Sequence, residues 1–258
     1  MKKAFIIVSV SARIDQLNAL VRSIMLYPRF DDYSIHLMFQ DTHGVAGLIA
    51  NRDRYETILT ADRMLGCHGA RVRLLKAMRA DFYVNLDDDM TLCEFTNYEG
   101  AIAKAAEPGT GFVLTNWAKT MAQVRAKAPK MEDRFVKQVM IYQGGGMVYR
   151  DEIADLMRAL PEIDQTFDHT WPLTAYINGF LNYRYLGSLA EHRIGTQGGM
   201  LAYLATQEPA LLMQDYIRFR PRTILRGNGN DYNIPLDSDL LPIAHEEHRR
   251  NRIAKGFA

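Results

Sequence analysis

Three consecutive aspartates, Asp87-Asp88-Asp89, follow directly on the apolar run Phe82-Tyr83-Val84-Asn85-Leu86. Adjacent carboxylates repel one another, and their proton affinities rise unless a cation neutralises them. A hard divalent cation with oxygen ligands, Mg2+ or Mn2+, is the natural counter-charge. Mg2+ typically takes one or two carboxylates and completes its shell with substrate phosphates. The cluster therefore predicts a diphosphate-bearing ligand. Standing alone, such a run would read as a solvated turn or a helix N-cap. The element in front of it separates the two readings, because open α/β sheets gather their ligands at the carboxyl ends of strands.

The flanking elements fit that placement. Residues 4–10 (AFIIVSV) are short, continuous and β-branched, as in a strand buried on both faces. Ser11 offers an N-cap, and Ile14, Leu17, Leu20, Val21 and Ile24 recur at helical spacing up to Tyr27-Pro28. A second strand spans 33–40 and ends at Asp41. This β-α-β opening calls for a parallel sheet with a right-handed crossover. Helices are expected over 48–65, 70–79, 94–106, 152–160 and 173–177. Strands are expected over 82–86, 111–115, 139–142, 147–149 and 183–186, with Gly144-Gly145-Gly146 interrupting the later ones. That triple glycine reads either as a close backbone approach to substrate or as a plain turn.

At this point the chain resembles the GT-A glycosyltransferases, the large family-2 group above all. The matching segments are Ile7-Val8-Ser9-Val10-Ser11-Ala12-Arg13 with Leu17, Leu20, Ser23 and Ile24, then Gly69-Ala70-Arg71, then residues 80–89 (ADFYVNLDDD). The resemblance implies a GT-A, Rossmann-like α/β fold: a mixed, mostly parallel sheet flanked by helices, in a single domain with a C-terminal acceptor-side extension. Residues 1–115 would form the nucleotide-sugar-binding half, 116–194 the acceptor and catalytic half, and 195–258 a basic extension. It implies that Asp41 contacts the nucleotide base and Arg71 a phosphate. Asp89 becomes the main ligand of Mn2+ or Mg2+, Asp87 reaches the metal or the ribose, and Asp88 does either. His192, in Ala190-Glu191-His192-Arg193, matches the late histidine that many members give to the metal, with His68, His169 and His245 as competitors. Asp168 matches the catalytic base. It follows Phe167 where the family often has a glutamate, and it also reads as an N-cap ahead of Thr170-Trp171-Pro172. Glu162 and Asp164 are the alternatives. The implied reaction is inverting transfer from a nucleoside diphosphate sugar, UDP-sugar first.

Composition leaves the acceptor open. A net charge of +1 over 258 residues supplies no global field for nucleic acid or anionic membrane. Local basic stretches do exist at 119–137 and in the tail (Arg218, Arg220, Arg222, Arg226, Arg249, Arg250, Arg252). They fit a glycan-binding surface or, equally, a phosphate backbone, and hence a hydroxymethylated DNA base as acceptor, as for some phage enzymes. Trp117 and Trp171 are candidates for stacking on a sugar or base, or for core packing. Cys67 and Cys93 are too few for a disulfide framework. With no run long enough to span a bilayer, the expectation is a cytoplasmic protein. Two rivals share the sheet: a sugar-phosphate nucleotidyltransferase and a non-catalytic nucleotide- or sugar-binding protein. The first needs a glycine-rich phosphate loop after the first strand, and residues 9–13 contain no glycine.

Overall fold

A computed structural model describes residues 1–40, 45–138, 145–160, 162, 167–193 and 240–257. The chain runs β1 (Lys3–Val10), α1 (Ile14–Met25), β2 (Tyr33–Gln40), β3 (Tyr55–Ala61), α2 (Gly66–Ala77), β4 (Phe82–Asp87) and β5 (Met90–Thr91). It continues through α3 (Tyr98–Ala105), β6 (Thr110–Ala118), α4 (Met121–Lys127), β7 (Phe135–Gln138), β8 (Met147–Arg150) and α5 (Asp151–Arg158). The last described elements are α6 (Phe167–Ile177), β9 (Leu181–His192) and α7 (Leu240–Ala254).

All the described strands belong to one mixed sheet ordered β3-β2-β1-β4-β8-β6-β9-β5, with β7 on β9. β1 to β4 pair in parallel, while β8 runs antiparallel to β4 and β6 on either side of it. Strand β1 shows why the sheet needs helices on both faces. Phe5 and Ile7 pack with Leu17, Leu20 and Ile24 of α1, whereas Ala4, Ile6 and Val8 face Val72 and Leu75 of α2. Alternate side chains of one strand thus feed two separate cores. Chain order reverses between β1 and β4, which opens the crevice where such sheets bind ligands.

Most expected elements stand within a few residues of their sequence positions. One does not. The helix expected at 48–65 is replaced by two short 3-10 turns, Val45–Leu48 and Arg52–Arg54, and then by β3. Asn51, with φ of 53° in the left-handed region, breaks any helix at that point. Beyond it, Tyr55, Thr57, Ile58 and Thr60 are strand formers, and β2 offers them a parallel edge. α6 begins earlier than expected and carries Pro172 inside it, and β9 is much longer than residues 183–186. Asp41, Asp164, the strand expected at 139–142 and the tail up to 239 lie outside the described residues. Both cysteines are free. No described helix is long and apolar enough to cross a membrane.

His36 sits in the middle of β2, buried, with Nε2 2.7 Å from Ser34 Oγ. Burial pulls its imidazole down to about 4, against the opposing attraction of Glu56. The unfolded chain gains a proton near pH 6.5 that the folded chain takes up only near 4, so stability is whole above 6.5 and lost as pH falls between them. Unfolding free energies from denaturant titrations between pH 7.5 and 4.5 are expected to fall by up to about 1.4 kcal/mol per pH unit, and less steeply in His36→Gln. Parallel profiles for the two proteins would refute this assignment.

Candidate active site

β4 delivers the aspartates to the crevice, and each meets a different environment. Asp88 is buried between the ends of β1 and β4. Ser9 Oγ donates to its Oδ2 at 2.7 Å and Arg13 Nη1 to its Oδ1 at 2.9 Å. Burial pushes its carboxyl up to about 6, against the pull of Arg13 and Ser9. Both of its oxygens are held by protein donors, so Asp88 joins the two strands. Asp87 is anchored from below, where Arg71 Nη2 donates to its Oδ1 at 2.7 Å. Arg71 itself is buried on α2, with weaker reaches to the carbonyls of Leu86 and Cys67.

Asp89 and His192 face each other. Antiparallel pairing of β5 with β9 sets Met90 opposite His192, and Arg193 N donates to the Asp89 carbonyl at 3.1 Å. His192 Nε2 consequently lies 2.9 Å from Asp89 Oδ1 and 3.4 Å from Asp87 Oδ2. Asp89 Oδ1 is buried and accepts no hydrogen bond of good geometry among the described residues. Burial raises the Asp89 carboxyl, but His192 and Arg13 outweigh it and hold it below its ordinary range. One ligand atom from each of Asp87, Asp89 and His192 falls within a 4.8 Å cluster. A carboxylate oxygen and an imidazole nitrogen this close need a proton or a cation between them. Two carboxylates and one imidazole, with positions left for water and phosphate, suit Mn2+ or Mg2+. Asp87, Asp89 and His192 therefore form a set that could hold a divalent cation.

Three neighbours complete the walls. Trp117 on β6 sets its indole edge-on to the His192 ring at 5.2 Å and 79°. Gly145 lies against Asp87, and a Cβ there would sit 2.8 Å from Asp87 Oδ2 and collide with Met90 Sδ. Gly146, at φ of 78°, turns the chain into β8 while its N–H donates to the Asn85 carbonyl at 2.7 Å. Gly145 and Gly146 thus form a tight turn packed against a carboxylate.

Some sequence candidates lie elsewhere. His68 is fully buried and accepts from Trp171 Nε1 at 3.0 Å, so both of these rings belong to the core under α6. His245 lies 2.7 Å from the Tyr176 hydroxyl, on the α6–α7 contact. Asp168 falls in the first turn of α6, and its side chain, like that of His169, lies outside the described atoms. Glu162 is engaged by Arg73 and Lys76 on the surface of α2. Sequence reasoning missed Arg13 as a site residue. The signal was present, since Arg13 follows the first strand by the few residues needed to turn back over its end.

No protein-family model and no curated protein matches the chain. Solved structures do. TarS of S. aureus (residues 1–349) is 14% identical with a TM-score of 0.53 over 74% of this chain and 59% of that one. GalNAc-T7 with UDP, GalNAc and Mn2+ is 12% identical with a TM-score of 0.59 over 74% of this chain and 44% of that one. The mannosyltransferase PcManGT from Pyrobaculum calidifontis, with GDP-Man and Mn2+, is 13% identical with a TM-score of 0.56 over 76% and 58%. The chain spans from under half to about three fifths of these relatives' lengths. At such identities the likeness speaks for the fold: the chain has the GT-A fold of the nucleotide-sugar glycosyltransferases.

Proposed function

We propose that this protein is a metal-dependent glycosyltransferase that moves a sugar from a nucleoside diphosphate sugar, UDP-sugar first, to an acceptor hydroxyl with inversion. The convergence of Asp87, Asp89 and His192 on one point at the strand-order reversal carries this reading. The ligands named with the similar structures agree with it, namely UDP with Mn2+, GDP-Man with Mn2+, and UDP-GlcNAc. Residues 1–115 would bind the donor, 116–194 the acceptor, and the protein would work in the cytoplasm.

Bound to Asp87, Asp89 and His192, Mn2+ or Mg2+ would neutralise the diphosphate of the departing nucleotide. Arg71 acts through Asp87, holding one oxygen so that the other points into the site. Asp88, tied to Ser9 and Arg13, keeps β1 and β4 in the relation that shapes the donor crevice, and it lies beside the place of the nucleotide. Asp41, at the end of β2, would meet the nucleobase. Asp168, in the first turn of α6, would take the proton from the attacking hydroxyl. The acceptor is a glycan or a hydroxymethylated base. On α7, Arg249 and Arg250 pair with Glu246 and Glu247, whereas Lys119, Arg125, Lys127 and Lys130 stand exposed. A phosphate-tracking surface would therefore start from 119–130.

In thermal-shift titrations, Mn2+ with UDP should raise the melting temperature of the wild type and not that of Asp89→Ala, whose sugar transfer should fall at least about 100-fold. Undiminished transfer by Asp89→Ala would sink the metal reading. Gly145→Ala pushes a methyl group at Asp87 and should weaken Mn2+ binding roughly tenfold by calorimetry, about 1.4 kcal/mol. Asp168→Asn should keep UDP binding while kcat drops by about 10²–10⁴. Full turnover would move the base elsewhere.

A further inference from the structure

Among the described residues, Arg184 on β9 is a guanidinium without a carboxylate partner. It is only partly exposed, and its one hydrogen bond among the described residues runs from Nη1 to Asn116 Oδ1 at 3.3 Å. Three other withdrawn arginines each face a carboxylate: Arg13 with Asp88, Arg71 with Asp87, Arg158 with Asp151. Arg184 has no carboxylate within ion-pair distance among the described residues. Burial alone acts on its proton affinity, and lowers it, with no acidic neighbour to restore it. Withdrawing a cation from water costs free energy that a neutral amide only partly returns. A planar guanidinium in such a place is preorganised for a two-pronged bond to a phosphate or carboxylate.

Its position says which ligand that would be. In the β6–β9 ladder Arg184 pairs with Leu114, a core residue beside Phe112 and Trp171, so it stands on the α6 face of the sheet. It also pairs with Val136 of β7, in the half assigned to the acceptor. Asn116 adjoins Trp117, whose ring touches His192. The donor diphosphate would find its counter-charge in the cation that Asp87, Asp89 and His192 would hold, beside that tryptophan.

We propose that Arg184, oriented by Asn116, binds an anionic group of the acceptor, so that the accepted molecule carries a phosphate or carboxylate. The acceptor role rests on the glycosyltransferase reading. The anion site itself does not, and it can be tested without donor or metal.

Inorganic phosphate and acetate are titrated into the full chain in EDTA and followed by calorimetry. Phosphate is expected to bind, and at least tenfold more weakly in Arg184→Gln, with part of the affinity kept in Arg184→Lys. Asn116→Asp supplies a fixed carboxylate beside the guanidinium. It should raise the melting temperature and still weaken phosphate binding at least tenfold, a pairing that a purely structural arginine would not produce. The same folded Asn116→Asp protein keeps the test valid if Arg184→Gln fails to fold. Stronger binding of acetate than phosphate would assign the group as a carboxylate, which also supports the site. No binding of either anion, or binding unchanged in Asn116→Asp and Arg184→Gln, overturns the proposal. If anion binding follows Arg184 but a panel of phosphorylated and carboxylated hydroxy compounds takes no sugar while a neutral glycan does, the acceptor role is overturned and the donor reading stands.

Discussion

Burying the end of β4 together with three successive carboxylates is the constraint around which the rest is arranged. Negative charge withdrawn from water must be balanced locally, or it is lost to protonation. The fold balances it from three directions. Arg13 comes over the end of β1, Arg71 rises from α2, and His192 arrives at the end of β9. Two guanidinium groups against three carboxylates leave a deficit of positive charge at Asp89 Oδ1, which only the His192 ring approaches among the described residues. Arg13 and Arg71 come from elements next to β1 and β4 in the first half of the chain, and His192 from the last described strand, β9. Charge balance at the site is thus linked to the packing of both halves of the domain.

The first half of this arrangement was legible in the sequence because its signals are local. A continuous apolar strand, a helix with Leu17, Leu20 and Ile24 on one side, and an acidic run after Leu86 all lie within short windows. The charged stretch after Gly47 misled: Arg52 and Glu56 stand four apart, as on a helix face, but with Arg54 between them they also alternate as a strand does. Asn51 and the edge offered by β2 decided otherwise. His192 could be named only through the family resemblance. What places it is a two-residue pairing between β5 and β9, a contact across about a hundred residues with no periodicity to announce it. Arg184 left no trace in the sequence at all, since the absence of a partner is a property of three dimensions.

β9 carries more than its share of this architecture. It pairs with β5, β6 and β7, and its ladder with β6 slips between Thr115 and Asn116, where residues 186–188 have no partner on β6. The ring of Tyr185 fills the space beside Gly187 and beside Gly100, and its hydroxyl reaches Asp133 and Asn97. That slip sets the phase between the two ends of the strand. Side chains alternate faces at every residue, so losing or gaining one residue there would turn His192 away from Asp89 while leaving Arg184 where it is. The length of this short segment is therefore a reading frame for the site, and within it Gly187 is held a second way, since any side chain there would run into the Tyr185 ring.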